Sequence, residues 1–81
     1  MSKLLLDVGN TRVKWARVRS GFYEFSGAVA LQGLSVEAFL QQVWPDEDKP
    51  SQVVISSVTD GEWMRLLRFC IASSWSSTVL E

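Results

Sequence analysis

Hydrophobic and polar positions divide the first third of the chain into three predicted strands. Residues 3–8 (KLLLDV) form a nearly continuous apolar run, which is typical of a strand buried on both faces. Residues 12–19 mix β-branched, aromatic and basic side chains and predict a second strand. Ser20-Gly21 is suited to a tight, antiparallel hairpin into a third strand over 22–31. We expect a bulge in the second strand or at Gly27 in the third.

A helix and a fourth strand are predicted in the middle of the chain. Ser35 has the position and the chemistry of a helix N-cap. Apolar residues follow it at helical spacing, namely Val36, Phe39, Leu40 and Val43. Pro45 is expected to end this helix, and the polar segment 46–51 to form a loop. The run VVIS then predicts a second buried strand over 52–58.

The last third of the chain predicts a second helix and the start of a fifth strand. Thr59 and Glu62 have the spacing of a capping box, which places the helix N-cap at Thr59. The predicted apolar face of this helix comprises Trp63, Leu66, Leu67 and Cys70. Ser73-Ser74 is expected to end the helix, and an extended segment begins within 75–80.

This order of elements is that of an α/β, ribonuclease-H-like half-domain, with three antiparallel strands followed by helix, strand, helix and the start of a further strand. The chain stops as an extended apolar run begins. We therefore expect residues 1–79 to be a truncated N-terminal subdomain of a longer protein. Leu80-Glu81 matches the dipeptide that a common cloning site leaves, so residues 80–81 are expected to be a cloning scar.

Composition narrows the possible functions. Hydrophobic residues make up 47% of the 81 residues, which is enough for a core. Eight basic and nine acidic residues give a net charge of −1, which argues against nucleic-acid binding by bulk charge. The sequence has no histidine and one cysteine, so it excludes histidine-based catalysis, an internal disulfide and a cysteine-cluster zinc site. No apolar run approaches the length of a membrane span, and a reduced, cytoplasmic protein is expected.

The segment DVGNTRVK, residues 7–14, carries the candidate chemistry. Asp7 is a carboxylate in an otherwise apolar strand, where burial is costly unless the charge is paired, metal-bound or directed into a cleft. The turn Gly9-Asn10-Thr11 offers backbone and side-chain donors to an anion. Lys14 on the returning strand supplies a point charge for phosphate, and Asp7 a ligand for hydrated Mg²⁺. The alternative is a plain β-turn with an aspartate hydrogen-bonded to it.

Two segments resemble a known family. LLLDVGNTRVKWA is similar to the start of the type III pantothenate kinases, which belong to the actin/hexokinase/Hsp70 ATPase superfamily and include relatives labelled Bvg accessory factors. VVISSV, residues 53–58, resembles the family's fourth-strand segment, at a fitting distance from the first motif. The resemblance spans most of the chain and is sharp in these two segments.

The resemblance implies a kinase that moves the γ-phosphate of ATP to the hydroxyl of pantothenate and so opens coenzyme A synthesis. Family enzymes have two ribonuclease-H-like domains, form homodimers, and use Mg²⁺ and a monovalent cation, K⁺ or NH₄⁺. By the motif, Asp7 lies near the metal, and Gly9, Asn10, Thr11 and Lys14 lie near the phosphates. The family's catalytic base belongs to a Gly-x-Asp-Arg segment that these 81 residues do not contain. We therefore expect no catalytic residue and no activity in this chain alone.

Two other classes of function stay open. One is a ribonuclease-H-like, metal-dependent nuclease that uses Asp7 and Asp60, with Glu24 or Glu37 as a third carboxylate. Such a nuclease has no role for the GNT turn and Lys14, which counts against it. The other class is a non-catalytic regulatory module on the same half-domain.

Several residues have simpler explanations than a site. For Ser56 and Ser57, we favour hydrogen bonds to nearby backbone over a place in the cleft. Asp60 is explained by favourable charge at a helix N-terminus. The basic residues of the second strand, Arg12, Lys14, Arg17 and Arg19, are expected to line a solvated edge of the sheet rather than a nucleic-acid site.

Overall fold

A computed structural model describes residues 2–81, apart from the side chain of Phe25, as a five-stranded sheet with two helices. The strands are β1 (Ser2–Val8), β2 (Arg12–Arg19), β3 (Phe22–Ala30), β4 (Gln52–Ser57) and β5 (Thr78–Leu80). The helices are α1 (Val36–Val43) and α2 (Glu62–Cys70), and a π-helical turn, Ile71–Trp75, continues α2.

The strand order in the sheet is β3-β2-β1-β4-β5. The first three strands are antiparallel neighbours, β4 runs parallel to β1, and β5 runs parallel to β4. This is the predicted ribonuclease-H-like order, so the fold class is confirmed. The carboxyl ends of β1 and β4 lie at one edge of the sheet, next to the turn that follows Asp7.

The core lies on one face of the sheet, between the strands and the helices. In β1, Leu4, Leu6 and Val8 are buried, whereas Leu5 is half-buried and Asp7 is exposed. The expectation that this strand is buried on both faces is therefore wrong. Buried and more exposed side chains alternate along this apolar run. The face that carries Leu5 and Asp7 is open to solvent, whereas both helices contribute residues to the buried core.

The start of α1 follows the prediction, and the start of α2 does not. Ser35 caps α1, and its Oγ accepts a hydrogen bond of 3.1 Å from the backbone N–H of Ala38. The N-cap of α2 is Gly61 rather than Thr59, and it makes no side-chain capping bond. Thr59 lies outside the helix. Its backbone N–H and C=O are both hydrogen-bonded to the hydroxyl of Ser57.

The buried face of α2 also differs from the prediction. Met64 and Leu67 are buried, and Ile71 continues that face into the π-helical turn. Leu66 is 46% exposed, and Trp63 and Cys70 pack at the margin of the core. Ser73-Ser74 does not end the helical segment, which continues to Trp75 before the last strand begins at Thr78.

The bulge lies in β3, at neither predicted position. Arg17 pairs with Phe25 and Val18 with Tyr23, so Glu24 is the extra residue. Gly27 has a different role, because it pairs with Trp15 and leaves room for that indole. A Cβ on Gly27 would lie 3.0 Å from a carbon of the Trp15 ring.

We predict that Gly27→Ser lowers the free energy of unfolding by about 1–3 kcal/mol, because the buried indole must shift. The matched control is Gly61→Ser, where an added Cβ meets no atom within 4 Å and the hydroxyl can cap α2. That variant is expected to gain a few tenths of a kcal/mol, roughly. Urea unfolding compares the two, and equal destabilisation would contradict this role of Gly27.

Arg17 belongs to the interior, although β2 was expected to form a solvated edge. The strand β2 lies between β3 and β1, and Arg17 is only 4% exposed. Its Nη2 lies 2.9 Å from Asp46 and 3.3 Å from Glu24, and its guanidinium stacks 4.0 Å from the centre of the Trp44 ring. Arg17 therefore links the β2–β3 hairpin to the loop after α1 through its contacts with Glu24 and Asp46.

Along residues 2–81, no helix is both long enough and apolar enough to cross a membrane.

Candidate phosphate and metal site

Three polar side chains form a row across the open face of the sheet. Asp7 in β1 lies opposite Lys14 in β2 and opposite Ser56 in β4. Residues that are paired in register point to the same face, and neighbouring strands are about 4.8 Å apart. All three side chains line a cavity of about 320 Å³, which also includes the apolar residues Leu5, Ala16 and Val54.

The row is open to solvent and is not used by the fold. Asp7, Lys14 and Ser56 are exposed. Among the described residues, none of the three side chains has a hydrogen-bond or ion-pair partner. In particular, Asp7 does not hydrogen-bond to the turn that follows it, so the plain-turn alternative lacks the contact that it requires. The carboxylate and the ammonium both remain available to a ligand.

The turn after β1 closes on a backbone hydrogen bond. The N–H of Gly9 donates to the C=O of Arg12 over 2.8 Å, and the N–H of Leu31 donates to the C=O of Thr11 over 2.8 Å. A Cβ on Gly9 would lie 3.3 Å from the Arg12 oxygen, which is a tight contact. Glycine therefore lets the turn close, and Asn10 and Thr11 stay exposed at its tip.

The predicted site residues occupy two adjacent places at one edge of the sheet. Asp7 and Lys14 lie on the open face. Asn10 and Thr11 line a separate cavity of about 430 Å³ at the tip of the turn. Asn10 also lines a cavity of about 260 Å³ that extends to Gly61 at the start of α2. In open α/β sheets, ligands bind at this position, beyond the carboxyl ends of the parallel strands.

The two adjacent serines of β4 have different surroundings. The Ser57 hydroxyl donates to the C=O of Thr59 over 2.6 Å and accepts from the N–H of Thr59 over 3.1 Å. The expectation of local backbone bonding is therefore confirmed for Ser57. It is wrong for Ser56, whose side chain lies on the open face beside Asp7.

The cavity that Asp7 lines includes no other carboxylate of the nuclease alternative. Asp60 accepts a hydrogen bond of 2.9 Å from Arg68, and Arg68 also binds Glu81, whose pKa its hydrogen bonds lower. Glu24 is bound by Arg19, whose guanidinium lies over the ring of Trp44. Within the described part of the chain, no three His, Cys, Asp or Glu side chains form a group that could hold a metal ion.

The donor set suits Mg²⁺ bound together with a phosphate. Mg²⁺ prefers oxygen ligands, keeps several of its waters, and is commonly bound through one or two carboxylates plus substrate phosphates. Asp7 supplies one exposed carboxylate without an ion-pair partner in the described chain, and Ser56 supplies a hydroxyl next to it. A cation held by protein ligands alone needs more carboxylates than this row contains.

Comparison with a solved structure supports the fold class of the chain. The chain superposes with a TM-score of 0.68 on a Bacteroides thetaiotaomicron protein described as having an actin-like ATPase fold and unknown function. The match covers 99% of this chain and 32% of that one at 6% identity, so it shows the fold alone. The chain thus shares its fold with that protein, in agreement with the ribonuclease-H-like strand order. The family model for type III pantothenate kinase matches residues 3–80, and the chain belongs to that family.

Two relatives illustrate the family match. A type III pantothenate kinase of Nitrosococcus oceani is 29% identical over 72 residues, which are 89% of this chain and 27% of that protein. A type III pantothenate kinase of Nitrosospira multiformis is 45% identical over 62 residues, which are 74% of this chain and 22% of that protein. The chain thus spans about a quarter of the length of these relatives.

Proposed function

We propose that this chain is the ATP-phosphate-binding part of a type III pantothenate kinase, which phosphorylates pantothenate with ATP in the first step of coenzyme A biosynthesis. The observation that carries the proposal is the row of Asp7 and Lys14. Neither side chain has an internal partner among the described residues, and both lie beside the GNT turn at the ligand-binding edge of the sheet. Family membership supports the same reading.

Each residue has a distinct part in this proposal. Lys14 places a positive charge against the phosphates, which is the way in which lysine binds phosphate in other nucleotide sites. Asn10 and Thr11 donate hydrogen bonds from the exposed tip of the turn, and Gly9 lets that turn close. Asp7 holds the water shell of Mg²⁺. When bound, the metal neutralises charge on the phosphate oxygens.

The remaining parts of the proposal concern the longer protein. Residues 1–79 belong to its N-terminal subdomain, and the catalytic base lies elsewhere in the protein. The longer protein binds ATP and pantothenate, forms a homodimer and is cytoplasmic. Its use of K⁺ or NH₄⁺ rests on family membership, and we assign no residue of this chain to that ion.

The isolated chain is expected to show no pantothenate-dependent formation of ADP. Phosphoryl transfer needs ATP, metal and acceptor to be positioned together, and the proposal assigns only the phosphate and metal contacts to this chain. A coupled assay for ADP, with and without pantothenate, measures this. Pantothenate-dependent turnover by the 81-residue chain would contradict the proposal that this chain supplies only the phosphate and metal contacts.

Binding of Mg²⁺·ATP tests the phosphate contact itself. Lys14→Gln is expected to weaken the binding of Mg²⁺·ATP roughly tenfold or more, because a charge-assisted contact with phosphate is lost. Lys3→Gln is the matched control, since Lys3 is on the same strand face as Asp7 but about 13 Å away along β1. Titration calorimetry compares the two variants. An equal effect of both would show general charge attraction instead of a site at Lys14.

A further inference from the structure

Ser56 is the one member of the open-face row that the sequence does not connect with the GNT motif. It is separated from Asp7 by most of the chain, and the parallel pairing of β1 and β4 brings the two residues side by side. The same pairing puts Ser56 on the far side of Asp7 from Lys14. The carboxylate is therefore flanked by a cation on one strand and a hydroxyl on the other.

The fold makes no use of the Ser56 hydroxyl. This residue is exposed, and its hydroxyl has no partner among the described residues. The neighbouring Ser57 shows what a structural serine at the end of this strand does, because its hydroxyl makes two hydrogen bonds to the backbone of Thr59. A stabilising role explains Ser57 and leaves Ser56 unexplained.

We propose that Ser56 is a positioning residue that fixes the Asp7 carboxylate and the hydrated divalent cation of the phosphate complex. A hydroxyl both donates and accepts. It can donate to the Asp7 carboxylate while it accepts from a water of the cation. Outer partners of this kind orient a ligating carboxylate and influence metal affinity. The inference rests on the proposed function, because it takes Asp7 as the residue next to the metal.

Three variants separate this role from a structural one. Ser56→Ala removes the hydroxyl, Ser56→Thr keeps it on a side chain that suits a strand, and Ser57→Ala removes the structural hydroxyl next to it. Binding of Mn²⁺·ATP to the 81-residue chain is measured by the enhancement of water-proton relaxation. Thermal unfolding of each variant is measured in parallel.

Ser56→Ala is expected to weaken the binding of Mn²⁺·ATP about five- to tenfold without lowering the unfolding temperature. Ser56→Thr is expected to bind within about twofold of the parent chain, because the hydroxyl is retained. Ser57→Ala is expected to lower the unfolding temperature while the folded protein keeps its affinity. The two serines should thus give opposite patterns.

The outcomes distinguish the inference from the proposal on which it depends. Equal affinity of the parent chain, Ser56→Ala and Ser57→Ala would overturn the role of Ser56 and leave the phosphate site in place. A loss in Ser56→Ala that Ser56→Thr does not restore would also overturn it, because the hydroxyl would not be responsible. No binding of Mn²⁺·ATP by the parent chain would contradict the proposed function itself.

Discussion

Asp7→Asn in the longer kinase that we propose is expected to reduce phosphoryl transfer about a hundredfold or more. In the proposed site, the amide would lack the negative charge with which Asp7 would hold the hydrated cation beside the phosphates. Stability should change little, because Asp7 is exposed and its side chain has no partner within the described part of the chain. Rates at saturating ATP, measured together with urea unfolding, test both halves of this expectation.

Asp48→Asn is a suitable control for Asp7→Asn. Asp48 is an exposed carboxylate in the loop before β4, and its hydrogen bond from Trp44 is to its backbone C=O, which the substitution leaves intact. Full activity is expected from this variant. The account of Asp7 would be wrong if Asp7→Asn unfolded the protein while the fraction that remained folded was fully active.

Trp44→Ala is expected to cause the largest loss of stability, about 3–5 kcal/mol. Trp44 is fully buried, its Nε1 donates to the C=O of Asp48 over 2.8 Å, and its ring stacks against Arg17. Truncation therefore leaves a large cavity and removes the surface on which Arg17 lies. Urea unfolding followed by circular dichroism measures the loss.

Two further variants keep this prediction testable if Trp44→Ala does not fold. Trp44→Phe keeps a ring and loses the Nε1 hydrogen bond, so a smaller loss of about 1–2 kcal/mol is expected. Trp75→Ala removes an indole that is only half-buried, and its effect should also be smaller. A loss for Trp44→Ala no larger than that for Trp75→Ala would contradict the anchoring role of Trp44.

Local sequence patterns predicted the elements and the buried face of α1, but not the buried faces of β1 and α2. Ser35 could be identified as a cap because an N-cap depends on residues within one turn. The run before Asp7 predicted burial on both faces, because continuous apolar sequence does not show that both helices pack on one side. Thr59 fitted a capping box, yet Ser57 binds its backbone instead. Arg17 looked solvent-exposed because its partners Trp44 and Asp46 are distant in sequence.

The candidate site was predictable where it depends on local sequence. Asp7 and Lys14 are joined by a short hairpin, so their proximity follows from the length of the turn. The place of Ser56 depends on the register between β1 and β4, which are separated by two strands and a helix. The spacing of residues along the sequence does not reveal that register. The sequence shows two adjacent serines at the end of a strand, but it does not show which of the two hydroxyls faces Asp7.

Mapping of Mg²⁺·ATP on the chain by amide NMR shows directly whether the phosphates and the metal bind at the Asp7 end of the sheet. We expect Mg²⁺·ATP to change the amide shifts around Asp7, the Gly9–Thr11 turn and Lys14, and adenosine without phosphates to change none of them. Changes confined to the groove between α1 and the end of α2, around Lys49 and Cys70, would contradict it. Equal changes with adenosine would contradict it as well, because the proposed contacts are all to phosphate and metal.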